Sequence, residues 1–174
     1  MKVYKTKFKG LIFIKSNTFK DNRGFSREIG KQKIIKNKLV FTFVSKSNKN
    51  VLRGLHTQIK NQQGKFISVI KGKILDVAVD CRIKSKTFGK HFKKILSAKN
   101  STSVYIPPGF IHGFLGLDSE NIIIYNCTNY RDKKSEKGIK WDDKDLNIKW
   151  PIKNPILSKK DKNNFSFKKY LENI

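Results

Sequence analysis

Apolar and polar residues alternate with a period of two over most of this chain, and the runs are short. Residues 66–70 and 73–80 form two such runs, joined by Lys71-Gly72. That spacing predicts a β-hairpin, with Gly72 supplying a turn position at positive φ. In the second run Leu75, Val77, Val79 and Cys81 share one face; Ile74, Asp76, Ala78 and Asp80 share the other. Residues 91–96 and 103–106 continue the series. In 121–128, Ile123, Tyr125 and Cys127 fall opposite Ile122, Ile124 and Asn126. Strands at this spacing predict an all-β sandwich or barrel. Helical signals are few. Residues 25–34 predict about one turn. Phe167, Tyr170, Leu171 and Ile174 follow the i, i+3, i+4, i+7 rule and predict a C-terminal helix that packs on the barrel as a lid.

The length, 174 residues, suits a single domain (1–174) with a core of useful size. No run of roughly 18 apolar residues occurs, so no membrane span is expected. The start, Met1-Lys2-Val3-Tyr4-Lys5, carries no apolar signal segment. Cys81 and Cys127 lie in apolar strand-like runs and are expected as buried free thiols in a reducing cytoplasm.

Charge changes the picture in one respect. Against 13 acidic residues stand 39 basic ones, for a net charge of +26. Only five of the basic residues are arginine, and the lysines punctuate the whole chain. Nucleic-acid binders gather Arg and Lys on one face among exposed aromatics. Dispersed lysine reads instead as a solvated surface, so specific nucleic-acid binding is not expected. The field would still draw in a small anionic substrate.

The candidate chemistry centres on histidine, the side chain whose proton moves near neutral pH. There are three. His56 closes Val51-Leu52-Arg53-Gly54-Leu55-His56, and His112 lies in Ile106-Pro107-Pro108-Gly109-Phe110-Ile111-His112-Gly113-Phe114. His91 sits in a lysine-flanked strand, where a structural role is expected. A catalytic metal needs about three protein ligands, and Gln58 stands two residues after His56 where another histidine would serve one. Neither metal nor cofactor is expected.

Further segments extend this pattern. Asp21-Asn22-Arg23-Gly24-Phe25-Ser26-Arg27-Glu28 precedes it; Gln63-Gly64-Lys65, Thr87-Phe88-Gly89, Tyr125-Asn126-Cys127-Thr128-Asn129-Tyr130 and Gly138-Ile139-Lys140-Trp141-Asp142-Asp143 follow. Trp150-Pro151 and Leu157-Ser158-Lys159-Lys160-Asp161 complete it. In order and spacing the chain resembles the dTDP-4-dehydrorhamnose 3,5-epimerase family, nucleotide-sugar epimerases of the cupin fold. The resemblance implies a jelly-roll β-barrel with a few short peripheral helices. It implies a homodimer that swaps N-terminal strands, and catalysis without cofactor or metal. The implied reaction inverts carbons beside the ketone of a nucleotide-linked 4-keto-6-deoxy sugar, in deoxysugar supply for cell-surface polysaccharide.

By the same resemblance His56 is the base, Asp161 orients it, Lys65 steadies the enolate oxygen and Tyr125 is the acid on the opposite face. Arg53 and His112 line the sugar and diphosphate site, with Gln58 and Arg131 beside them. Arg23 and Glu28 reach the nucleotide across the dimer interface. Three positions depart from the family pattern. Phe41-Thr42-Phe43-Val44 replaces a polar Gln-Asp-Asn before Ser45-Lys46-Ser47, Arg131 replaces an aromatic, and Thr57 replaces Tyr or Phe. These leave the nucleotide, and the number of carbons inverted, open. The alternatives are a single-site 3-epimerase or ketoisomerase of the same fold, and a non-catalytic cupin that binds sugars or polyanions.

Overall fold

The computed structural model describes residues 1–172. Its strands are β1 (Lys2–Lys5), β2 (Ile12–Lys15), β3 (Phe19–Asp21), β4 (Gly24–Ser26), β5 (Phe41–Asn48), β6 (Leu52–Gln58) and β7 (Lys65–Lys71), then β8 (Lys73–Asp80), β9 (His91–Ser97), β10 (Thr102–Ile106), β11 (Phe110–Gly116), β12 (Glu120–Cys127) and β13 (Glu136–Gly138). A six-stranded sheet runs in the order β1-β2-β10-β7-β12-β5 and a five-stranded sheet in the order β13-β6-β11-β8-β9, with β3 and β4 apart as a hairpin. The paired strands of both sheets are antiparallel, the jelly-roll arrangement expected.

Period-two alternation decides what each face does. Ile67, Val69, Ile74, Ala78, Val104, Phe114, Ile123 and Tyr125 meet between the two sheets. The opposite face of the five-stranded sheet presents Leu55, Leu75, Val77, Val79, Ile111 and Leu115. The C-terminal third of the chain covers that face with Ile139, Leu146, Ile148, Phe167 and Tyr170. Each wholly buried Leu or Ile contributes about 1.5–3 kcal/mol of hydrophobic free energy. Among the described residues α-helix is confined to two pieces, α1 (Lys159–Lys162) and α2 (Phe167–Leu171). The lid expected at the C-terminus is α2, with Phe167 and Tyr170 buried; Ile174 lies outside the described residues.

Two expectations need correction. The runs at 66–70 and 73–80 are strands but not partners. β7 pairs with β10 and β12 in one sheet, and β8 pairs with β11 and β9 in the other. Lys71-Gly72 is therefore a corner between sheets. Gly72 has φ +80°, and a Cβ there would strike the Glu120 carbonyl. Buried Asn121 secures the corner, accepting from the Lys73 N–H at 3.0 Å and donating to the Ser47 carbonyl at 3.0 Å. The turn at 25–34 is β4 followed by a single 3-10 turn, Gln32–Ile34. Cys81 and Cys127 are buried free thiols as expected.

The exit from β8 is held by one carboxylate. Enclosed Asp80 accepts from Arg82 Nε at 2.8 Å and Nη2 at 2.7 Å, and from Ser85 and Thr87 hydroxyls, each at 2.6 Å. Burial works to raise this carboxyl, but the donors outweigh it and hold it at about 2.

Candidate active site

A cavity of about 710 Å³ opens between the sheets. Its wall contains the two histidines as direct neighbours, since His112 on β11 is the register partner of His56 on β6. Glycines let these strands close up: a Cβ on Gly54 (φ +124°) would stand 2.6 Å from Gly113 Cα. No side chain fits there, so Gly54 and Gly113 are steric requirements of the site.

His56 Nε2 lies 2.5 Å from Asp161 Oδ1. The carboxylate arrives 105 residues later in sequence, on α1. Ser158 caps that short helix, its hydroxyl accepting from the Asp161 N–H at 3.0 Å. Asp161 is almost sealed, at 5% side-chain exposure, whereas the imidazole keeps 27%. Burial pushes the Asp161 carboxyl up; the hydrogen bond and charge of His56 outweigh it and hold the group below the usual carboxylate range. An ionised Asp161 fixes the ring proton on Nε2 and leaves Nδ1 with a lone pair.

Lys65 opens β7 and lines the same cavity. Desolvation lowers its ammonium, and it makes no hydrogen bond or ion pair among the described residues. A lysine so placed can offer positive charge to an anionic guest. Tyr125 on β12 is buried, and burial raises its phenol. The hydroxyl thus keeps its proton at neutral pH. His112 stands edge-on to that ring, 6.3 Å between centroids, and its Nε2 lies 2.7 Å from Asp76 Oδ2.

The other expected residues divide. Arg53 lines the cavity; its Nε donates to Ser47 Oγ at 2.8 Å and its Nη2 to the Lys46 carbonyl at 3.0 Å. Gln58 also lines it, but its amide is committed to backbone. Nε2 donates to the Asn61 carbonyl at 2.9 Å, and Oε1 accepts from the Asp132 N–H at 3.0 Å, which ties down the turn beside Arg131. Arg131 donates through Nε and Nη2 to Glu136 Oε2 at 3.0 and 2.9 Å. Lys160 Nζ donates to the other Glu136 oxygen at 2.5 Å. Arg23 and Glu28 do not line this cavity. Both are exposed and paired nearby, Arg23 with Asp21 and Glu28 with Lys31. Among the described residues no group of three or more His, Cys, Asp or Glu side chains is placed to hold a metal ion.

Sequence reasoning missed Asp76 and Glu136 as parts of the site, and saw Phe43 only within a departure from the family pattern. Asp76 had a visible signal, a carboxylate on the same strand face as Ile74 and Ala78. Glu136 had none, because its partners come from a turn and a helix distant in sequence.

Residues 5–169 match the family model for dTDP-4-dehydrorhamnose 3,5-epimerase. The chain belongs to that family. A family member from Shigella flexneri is 42% identical over 174 residues, covering 96% of each chain. The crystal structure of the Legionella pneumophila dTDP-6-deoxy-D-glucose-3,5-epimerase, in complex with dTDP-4-keto-L-rhamnose, superposes with a TM-score of 0.91 at 38% identity, covering 95% of this chain and 92% of that one. A 3'-monoepimerase from Streptomyces bikiniensis, in complex with dTDP-quinovose, has a TM-score of 0.90 at 28% identity, covering 97% and 89%. Family membership makes the chain a nucleotide-sugar epimerase, an isomerase. No helix among the described residues is long and apolar enough to cross a membrane.

Proposed function

We propose that this epimerase acts on a dTDP-linked 4-keto-6-deoxy sugar, with His56 as base and Tyr125 as acid. The observation that carries the reading is the 2.5 Å pair of His56 with Asp161, in one cavity with the unpaired Lys65 and the protonated Tyr125. A C–H beside a ketone loses its proton only if a base is placed on it and the enolate oxygen is held. His56 Nδ1 takes that proton, and the C–H electron pair moves toward the ketone oxygen. Lys65 stabilises the negative charge that gathers there, and Asp161 stabilises the imidazolium. Tyr125 then gives its phenolic proton to the carbon from the opposite face, which inverts the centre. Solvent resets both groups.

Arg53 offers its remaining guanidinium donors to the diphosphate, His112 flanks the sugar, and Gln58 and Arg131 shape the wall beside it. Arg23 and Glu28, exposed on their own chain, meet the nucleotide in the partner's cavity of a homodimer. Such an enzyme supplies deoxysugars for cell-surface polysaccharide. The metal-free and cofactor-free character belongs to the same reading.

The test is turnover of a dTDP-4-keto-6-deoxyhexose in deuterated water, followed by NMR. Deuterium at C3 and C5, lost in His56→Ala, supports the reading; exchange at the parental rate in His56→Ala ends it. A single-centre 3-epimerase is the second reading. It is favoured by Arg131, a cation held on Glu136 where the family pattern has an aromatic, and by the likeness to the 3'-monoepimerase. Deuterium at C3 alone would select it.

A further inference from the structure

β5 forms one edge of the six-stranded sheet, and β12 is its neighbour. Phe43 and Tyr125 are register partners across that pair. Their rings lie face to face, 4.4 Å between centroids and 2° from parallel. Phe41, two residues away on the same strand face, stacks behind Phe43 at 5.6 Å and 26°. Both phenylalanines line the cavity. The Tyr125 ring also meets His112 at a steep angle, 70° between planes. Tyr125 is buried, while Phe43 is 37% exposed, so of the two stacked rings only Phe43 has much contact with solvent.

This stack bears on proton delivery. A carbanion beside a phenol can take its proton from the phenol or from any water that reaches the same face. Only a phenol held at one angle delivers reliably to one face of one carbon. A ring stacked on a parallel Phe and met at a steep angle by an imidazole has little freedom to tilt, and an apolar ring lying flat on one of its faces keeps water off that face. Polar side chains at 41 and 43 would hold water against the Tyr125 ring.

We propose that Phe43 is a positioning residue for Tyr125: by stacking on its ring it fixes the phenol for delivery to the carbon and shuts bulk water out. The inference rests on the reading of Tyr125 as the acid. Phe43 touches no reacting atom; it acts through the tyrosine.

The readout is a partition. In deuterated water, deuterium enters recovered substrate when His56 returns a proton to the face it came from. Epimerised product forms when the opposite face is protonated. Phe43→Ala is expected to keep wash-in to recovered substrate within about threefold of the parent while product falls about tenfold or more, within the range set by loss of a positioned acid. Phe43→Tyr, which keeps a flat ring, is expected to restore product to within about threefold of the parent. If Phe43→Ala does not fold, Phe43→Leu, apolar without a plane, is expected to show the same partition. Equal loss of wash-in and product in Phe43→Ala or Phe43→Leu, or no change in either, overturns the inference. A His56→Ala variant that still washes in deuterium would instead sink the base assignment, so the two failures are distinguishable.

Discussion

Two imidazoles stand opposite each other on β6 and β11, each beside a carboxylate, yet the two pairs are built differently. His112 and Asp76 come from adjacent strands of one sheet, and their side chains are 6% and 0% exposed. His56 takes its carboxylate from a helix that the chain reaches 105 residues later, and its ring stays 27% exposed. A pair locked inside a sheet can hold shape and polarity. A pair with one open ring can also exchange a proton with a guest. The buried pair is incomplete in one respect: Asp76 Oδ1 is buried with no hydrogen-bond partner among the described residues. A buried acceptor left so costs on the order of 1–3 kcal/mol. The same position places negative potential behind His112 and Tyr125.

The comparison predicts its own largest effect. His56→Ala should reduce solvent exchange at the sugar by roughly 10²–10⁴-fold, the range for a lost general base. His112→Ala should reduce exchange much less and weaken binding of the sugar nucleotide instead, seen by calorimetry with a dTDP-linked sugar. Equal loss of exchange in both variants would break the distinction between open and closed pairs. Next in size, Asp161→Asn should cost about 10²-fold or more in turnover, since a neutral amide neither fixes the Nε2 tautomer by charge nor stabilises imidazolium. Its signature is in the pH profile. Asp161 is held below the ordinary carboxylate range, so in the parent the ion pair survives as pH falls through that range and is lost only below it. Urea unfolding of Asp161→Asn should lack this acid-linked loss of stability. The same loss over the same pH range in the variant would show that Asp161 does not govern it.

Asp76→Asn is expected to be milder. Oδ1 has no hydrogen-bond partner among the described residues, so the change breaks no hydrogen bond there. The pair with His112 would weaken, with a loss on the order of 1–3 kcal/mol in urea unfolding. A variant more stable than the parent would mean that the buried carboxylate is a net cost to the fold.

The strands and their faces were legible because both depend on local alternation. Ile123, Tyr125 and Cys127 are inward, as their spacing requires. The partner of a strand was less legible. β7 and β8 are largely buried on both faces and joined by a glycine, which fits a hairpin and a corner equally well; Asn121, 48 residues beyond Lys73, secures the corner. In the site, His56 and His112 stood out by residue type and neighbours, whereas the roles of Tyr125 and Lys65 came from the resemblance. Asp161 stood out only by resemblance, since it sits in a run of lysines. Glu136 and the stack of Phe43 on Tyr125 are products of tertiary pairing, with no local signature.

A third carboxylate sharpens the comparison from outside the cavity. Asp80 is as enclosed as Asp76, but both its oxygens are satisfied, by Arg82, Ser85 and Thr87. Its folded value is about 2, against roughly 3.9 for an unfolded Asp. A depressed carboxyl contributes stability that is present above the unfolded value and lost as pH falls through the folded one. The difference of nearly two units corresponds to roughly 2.5 kcal/mol at neutral pH. Urea unfolding of Asp80→Asn should show a deficit of about that size at pH 7. The deficit should shrink between about pH 4 and pH 2, where the parent carboxylate takes up its proton. A deficit constant across that interval would assign the loss to packing of the 81–90 connection rather than to charge.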